Sequence, residues 1–312
     1  MLFRRSVLAA KLEATVGTDS TPSGTDATMN IYNAVMNPEP EMEEREGQGG
    51  FDHLSQVNGA RKARCTFQTK LQWDGSATEP SWAEVFLPAC GWVKSSQTYY
   101  PLTAATSTTT SDPRSITLSH YVDGVLRKMT GCVGTFKVTL PTGKMGYIDW
   151  DFMGVWAGET DVSIITPTYV TDTNYKFASG VCTWNSVALR PSTTTIDAGN
   201  TITMRQDPSK SSGYLAGIIT NRYPKVTMDA EKVLVATQDR DGAWLAGTEN
   251  ALALHCGGVG NSLLQFDAPK AQIIKVGYGD REKLVVDQLE LACNKNGATH
   301  DQCLSITFTA TS

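Results

Sequence analysis

Apolar and polar residues alternate along much of this chain, and a period of two puts successive side chains on opposite faces of an extended strand. From Cys65 to Trp73, Cys65, Phe67, Thr69, Leu71 and Trp73 share one face, while Thr66, Gln68, Lys70 and Gln72 share the other. From Tyr147 to Trp156, Ile148, Trp150, Phe152 and Trp156 oppose Tyr147, Asp149 and Asp151. Both read as half-buried strands with one wet face. Phe136, Val138 and Leu140 alternate with Thr and Lys just upstream, and Thr142-Gly143 supplies a turn into the second strand, so the pair is a hairpin. Asp123-Gly124 is the sharpest two-residue turn signal and predicts another hairpin. One stretch of the first half has a helical period: Trp82, Val85, Phe86 and Ala89 form a stripe between Pro80 and Cys90, ended by Gly91. The fold class is mainly β.

The second half repeats this order. The helix from Pro80 to Gly91 has a counterpart predicted from Gly242 to Gly257, each running from Trp to Cys-Gly. Arg64 to Leu71 corresponds to Lys225 to Val233, Val35 to Arg45 to Thr193 to Arg205, and Gly134 to Phe152 to Pro269 to Leu289. The hairpin at Asp123-Gly124 is read as an addition that the second copy lacks. Gly158 to Gly180 reads as a connector. The resulting division is a first β domain with an N-terminal arm, 1–165, a linker, 166–180, and a second β domain, 181–312, each with its own core.

Composition narrows the chemistry. A net charge of -5 and a pI near 5.4 disfavour a sequence-independent nucleic-acid binder, which needs basic residues to neutralise phosphates. The seven cysteines are spread singly, without a CxxC pair, and read as small buried thiols. His53, His120, His255 and His300 are isolated, without the spacing of metal ligands. Ser192 and the serines from Ser209 to Ser212 lack a nucleophile-elbow context, and the glycine-rich stretches Gly47 to Gly50 and Gly257 to Gly260 lack the Lys-Ser/Thr of a phosphate loop. No enzyme, cofactor or metal site is expected. No apolar stretch is long enough for a membrane helix, and the start reads as a mature arm made in the cytoplasm. The acidic run Glu39, Glu41, Glu43, Glu44 and Glu46 is extended by Pro38 and Pro40, placing Glu39, Glu41 and Glu43 on one face.

In order, the arm from Ser6 to Gly24, the acidic segment, PSWAEVFLPACGW (Pro80 to Trp92) and YVDGVLRKMTGCVGTFKVTLPTGKMGYIDWDFMG (Tyr121 to Gly154) resemble the major tail tube proteins of long-tailed, non-contractile bacteriophages. Asp267 to Asp280 resembles the family's C-terminal part, so the likeness spans the chain. It implies two tandem tail-tube-type β-sandwich or barrel domains, each with a short flanking helix. It also implies rings stacked into a tube that passes viral dsDNA without gripping it. Three two-domain chains would close a ring with pseudo-sixfold symmetry; six chains per ring is the alternative. With four lumenal strands per domain, about 24 strands at ~4.8 Å spacing and ~40° tilt enclose a backbone diameter of roughly 48 Å. Tape measure and tail-end proteins are the further partners implied, and the virion tail the location. Thr66, Gln68, Lys70, Gln72, Asp149, Asp151 and the acidic Glu39, Glu41 and Glu43 are candidates for the lumen or for contacts between subunits. The loop Gly47 to Gly59, with Gly50, Phe51, Asp52 and His53, is long enough to reach an adjacent ring. The competing expectation is a tail-tip or baseplate adhesin that binds a host-surface carbohydrate on a platform of Tyr99, Tyr100 and Tyr214.

Overall fold

The computed structural model describes residues 2, 4–26, 30–102, 115–169, 175–257, 262–298 and 301–310. His300, residues 258–260 of the second glycine-rich stretch and residues 170–174 of the linker lie outside them. The chain is mainly β. The first half contains β1 (Ser6–Leu12), β2 (Ile31–Glu46), β3 (His53–Lys70), β4 (Trp92–Ser95), β5 (Thr98–Pro101), β6 (Ile116–Val122), β7 (Val125–Pro141) and β8 (Tyr147–Asp161). A short helical segment, Trp82–Phe86 with π-type turns continuing into α1 (Leu87–Ala89), precedes β4. The second half contains β9 (Cys182–Trp184), β10 (Val187–Ala188), β11 (Pro191–Asp197), β12 (Asn200–Gln206), β13 (Tyr214–Arg222) and β14 (Lys225–Glu231). These are followed by α2 (Arg240–Leu245), β15 (Glu249–Gly257), β16 (Leu263–Arg281), β17 (Leu284–Cys293) and β18 (Ser305–Thr309).

Strand pairing follows one order twice. β1–β6–β7–β8–β3–β2 in the first half recurs as β9–β15–β16–β17–β14–β11 in the second, antiparallel throughout. The two arrays fuse because β11 pairs with the end of β7, Thr193 facing Pro141 and Asp197 facing Lys137. The C-terminal β18 adds a second tie by pairing with β16 and, through Ile306 and Thr307, with β5.

The apolar faces read from the sequence are the ones buried. Cys65, Phe67, Thr69, Leu71 and Trp73 are all buried, as are Ile148, Trp150 and Phe152. Their rings pack with those of the helical segment: Phe86 lies 5.1 Å from both Phe67 and Trp150, and Trp82 lies 5.6 Å from Phe308 of β18. These edge-on and tilted geometries suit ring quadrupoles. The expected pair of separate cores is corrected: buried residues of both arrays form one contiguous cluster, because the β7–β11 seam and β18 close the gap between them.

Further expectations change. The helix predicted from Gly242 to Gly257 stops at Leu245, and Glu249–Gly257 is the strand β15. Leu252, Leu254 and Cys256 are buried in alternation there, a period of two that the Ala-rich composition masked. The second half therefore does carry a hairpin, β15–β16, where the first has β6–β7 around Asp123 (φ 43°) and Gly124 (φ 101°). Gly158 to Asp161 belongs to β8 rather than to a connector, and only Gly47 to Asp52 loops between β2 and β3, since His53 to Gly59 is already strand. Trp156 keeps the core side of β8 opposite buried Met129, packing half-buried against the core cluster.

Glu13, just past β1, is buried and anchors the N-terminal arm. Its carboxylate accepts hydrogen bonds from the Gly17 and Gly131 amides at 2.7 and 2.8 Å and from the Ser115 and Thr117 hydroxyls at 2.5 and 2.9 Å. Glu13→Ala strips four buried or half-buried donors of their acceptor and is expected to cost about 3 kcal/mol, read as a lower urea midpoint with unchanged slope.

His120 on β6 is buried beside the Arg127 guanidinium, and its ring nitrogens make no hydrogen bond among the described residues. Burial, reinforced by the Arg127 charge, pushes its pKa down to about 4. The unfolded chain, with an ordinary histidine near 6.5, then binds a proton that the folded chain refuses. Stability falls as pH drops from about 6.5 to about 4, by roughly 3 kcal/mol in all. Thermal melts at pH 7 and pH 4.5 should show this loss in the wild type and a smaller one in His120→Gln.

Candidate assembly surface

Eight strands, in the order β16–β17–β14–β11–β7–β8–β3–β2, form a continuous sheet across both halves. One face packs on the core; the other is polar, because each strand alternates. Following the register across it, one row reads Lys70, Tyr147, Thr139, Thr195, Thr227, Glu290, Lys275. The next reads Gln68, Asp149, Lys137, Asp197, Lys225, with charges of alternating sign from Asp149 onward.

Most charges on this face are partnered. Lys137 lies 3.2 Å from Asp197 across the β7–β11 seam, Lys225 2.8 Å from Glu290, and the Arg64 guanidinium forks onto the Asp151 carboxylate. The Gln68 amide donates to Asp149 at 2.9 Å, and the Lys70 ammonium sits 5.2 Å from the ring centroids of both Tyr32 and Tyr147. Hydrogen bonds to Asp151 and to Glu290 hold Arg64 and Lys225 above their ordinary pKa values. Such a face offers a passing polyanion few free cations, and so little counterion release to drive binding.

The sheet ends in two open edges. Among the described residues, β2 pairs with β3 alone. On β16, Gln272 has Glu249 of β15 on one side and Ala292 of β17 on the other; past Gln272, among the described residues, only β17 remains paired with it. Unpaired backbone N–H and C=O groups at an edge are a template for another strand.

The sequence-predicted residues divide accordingly. Thr66, Gln68, Lys70, Asp149 and Asp151 lie together on the polar face. Gln72 lies beyond the end of β3, where its carbonyl accepts the Trp82 indole N–H. Glu39, Glu41 and Glu43 sit on the projecting part of the β2–β3 hairpin, where Glu41 accepts a 2.7 Å hydrogen bond from the Tyr214 hydroxyl of β13. Gly47, Gly50, Phe51 and Asp52 form the hairpin tip, with Phe51 fully exposed, while His53 and Gly59 are in β3. The tyrosine platform is not formed: Tyr99 and Tyr214 are buried. Sequence reasoning missed Lys137, Thr195, Asp197, Lys225, Thr227 and Glu290, although alternation in PSTTTID and KVTMDAE carries the signal for four of the six.

Among the described residues there is no cluster of His, Cys, Asp or Glu arranged to hold a metal ion, and no helix is long and apolar enough to cross a membrane. The fold and surface define a mainly β protein with an open-edged, charge-balanced sheet. The chain matches the phage tail tube protein family over residues 4–310 and belongs to that family. It is thus a structural component of a phage virion. A search of curated proteins finds no significant match.

Proposed function

We propose that this chain closes into rings with copies of itself, and that the rings stack into the tail tube of a long-tailed, non-contractile phage, the conduit for DNA ejection. The observation that carries the reading is the eight-stranded sheet with one polar, charge-paired face and an open edge at each end. Three copies supply 24 strands, about the number that encloses a bore of roughly 40 Å after inward side chains are subtracted. The repeated strand order supports two tail-tube-type units per chain, 1–165 and 181–312 joined by 166–180, and therefore a trimeric ring over a hexameric one. The polar face lines the lumen, the tip Gly47 to Asp52 reaches the adjacent ring, and tape measure and tail-end proteins cap the assembly. Synthesis in the host cytoplasm and a non-catalytic role go with it.

Negative-stain electron microscopy of the concentrated protein, with rotational classification of end-on views, tests this. Hollow rings with threefold symmetry are expected. Sixfold rings of single chains would replace the trimer, and persistent monomers would remove the reading.

A further inference from the structure

The seam that joins the two halves inside one chain has an unfilled equivalent at the chain's outer edges. The strand pairings of the two halves correspond in register, with one extra residue, Ile274, bulged out of β16. In the first half, Met36 faces Cys65, Cys65 faces Phe152 and Phe152 faces Gly134; in the second, Ile196 faces Val226, Val226 faces Leu291 and Leu291 faces Ile273. A β-bulge falls at the same place in both, between Tyr32 and Val35 and between Pro191 and Thr194. The diagonal ion pair Arg64–Asp151 recurs as Lys225–Glu290. The partner hairpin β12–β13, Asn200–Gln206 and Tyr214–Arg222, corresponds to positions 40–46 and 53–61 of β2–β3.

On this equivalence, β7 from Lys137 to Pro141 corresponds to β16 from Gly277 to Arg281, and both precede the turn of their hairpin. β11 from Thr193 to Asp197 corresponds to β2 from Asn33 to Asn37. Inside the chain the first pair is zipped, from Thr193 against Pro141 to Asp197 against Lys137. The second pair has no strand partner on its open side among the described residues, although the Met36 carbonyl accepts from Arg127 and the Tyr278 hydroxyl donates to Asp241: Tyr278, the counterpart of buried Val138, is 68% exposed, and Val35, the counterpart of Thr195, is 40% exposed.

We infer that a second copy of this chain fills the open seam in the same register, setting Asn33, Ala34, Val35, Met36 and Asn37 of one copy against Arg281, Asp280, Gly279, Tyr278 and Gly277 of the next. The inference rests on the ring reading above and fixes its interface. A slip of one residue would turn the buried face of β2 outward, so register is strongly specified. The intrachain seam carries the Lys137–Asp197 ion pair where the intermolecular one has Gly277 and Asn37, an uncharged joint. Within one chain these two positions lie on strands seven spacings apart, about 34 Å across the sheet at ~4.8 Å each, so only different copies can bring them together.

The test is cross-linking with a short bismaleimide. Asn37 is exposed, and a Cβ at Gly277 would make only ordinary contact, 3.6 Å from Gln288 Cβ, so cysteine fits at both. Assembled Asn37→Cys/Gly277→Cys protein should give a ladder ending at a closed three-chain species. A mixture of the two single variants should stop at covalent dimers. Each single variant alone and Asn37→Cys/Tyr278→Cys, which is one residue out of register, should stay at background. Amide hydrogen exchange of the unmodified protein gives a second readout: 33–37 and 277–281 should gain at least tenfold protection on assembly. Rings that form without the cross-link and without that protection overturn the seam while sparing the ring. A cross-link preferring the slipped pair overturns the register, and wild-type protein that never leaves the monomer overturns seam and ring together.

Discussion

A chain in which Met42 is joined to Asn58 through an Asn-Gly turn is expected to fold normally and form rings, yet fail to build tubes. Met42 and Asn58 face each other across the β2–β3 hairpin, so a two-residue turn closes the shortened arm at its native register. Every residue from Glu43 to Val57 is exposed, and none belongs to the core, so removing them leaves the packing of the rest intact. The melting temperature should shift by no more than about 2 °C, in line with surface changes of a few tenths of a kcal/mol. The lost function is expected to be total, because the segment holds the tip Gly47 to Asp52 and the fully exposed Phe51, which the ring-stacking reading assigns to the neighbouring ring. Electron micrographs should show rings or short stacks in place of long tubes. Tubes of wild-type length from this variant would sink the assignment of the tip.

The largest effect on stability is expected at Arg240 and Asp287. Arg240 opens α2, only 1% of its side chain is exposed, and it lies 2.8 Å from the fully buried carboxylate of Asp287 on β17. Arg240 also donates to the Glu231 carbonyl and to Gln238, and Lys232 approaches Asp287 at 3.2 Å. The cluster pins α2 against β14 and β17. Removing one partner leaves an uncompensated buried charge, so Arg240→Met or Asp287→Leu alone should destabilise by about 3–5 kcal/mol. The double variant should recover much of that loss, since the burial cost of both ions disappears with them. Urea unfolding of the two single variants and the double variant measures the coupling. Additive losses would show that the two groups do not act as a pair.

The misreading of Glu249–Gly257 shows where sequence reasoning ran short. ALALHC satisfies a helical composition as easily as a strand alternation, and a short apolar run does not separate the two. What decides is the presence of β9 and β16 on either side of it, which supply backbone partners that a helix would not need. Losing that strand concealed the β15–β16 hairpin, and with it the full match between the two halves. By contrast the buried faces of the aromatic strands β3 and β8 were legible, though not their ends, because bulky apolar side chains at a strict period of two leave one way to bury them.

Local pattern therefore determined the mainly β class, the buried faces of the long strands, the helical stop at Gly91 and the turn at Asp123-Gly124. It also gave half of the polar face, Thr66, Gln68, Lys70, Asp149 and Asp151, since which side of a strand is wet depends on nearest neighbours alone. The tertiary structure decided which strands lie side by side. The Lys137–Asp197 pair, the seam of β7 with β11 and the open edges of β2 and β16 all join residues far apart in the chain, and strand order is set by packing between arrays rather than by any period within one.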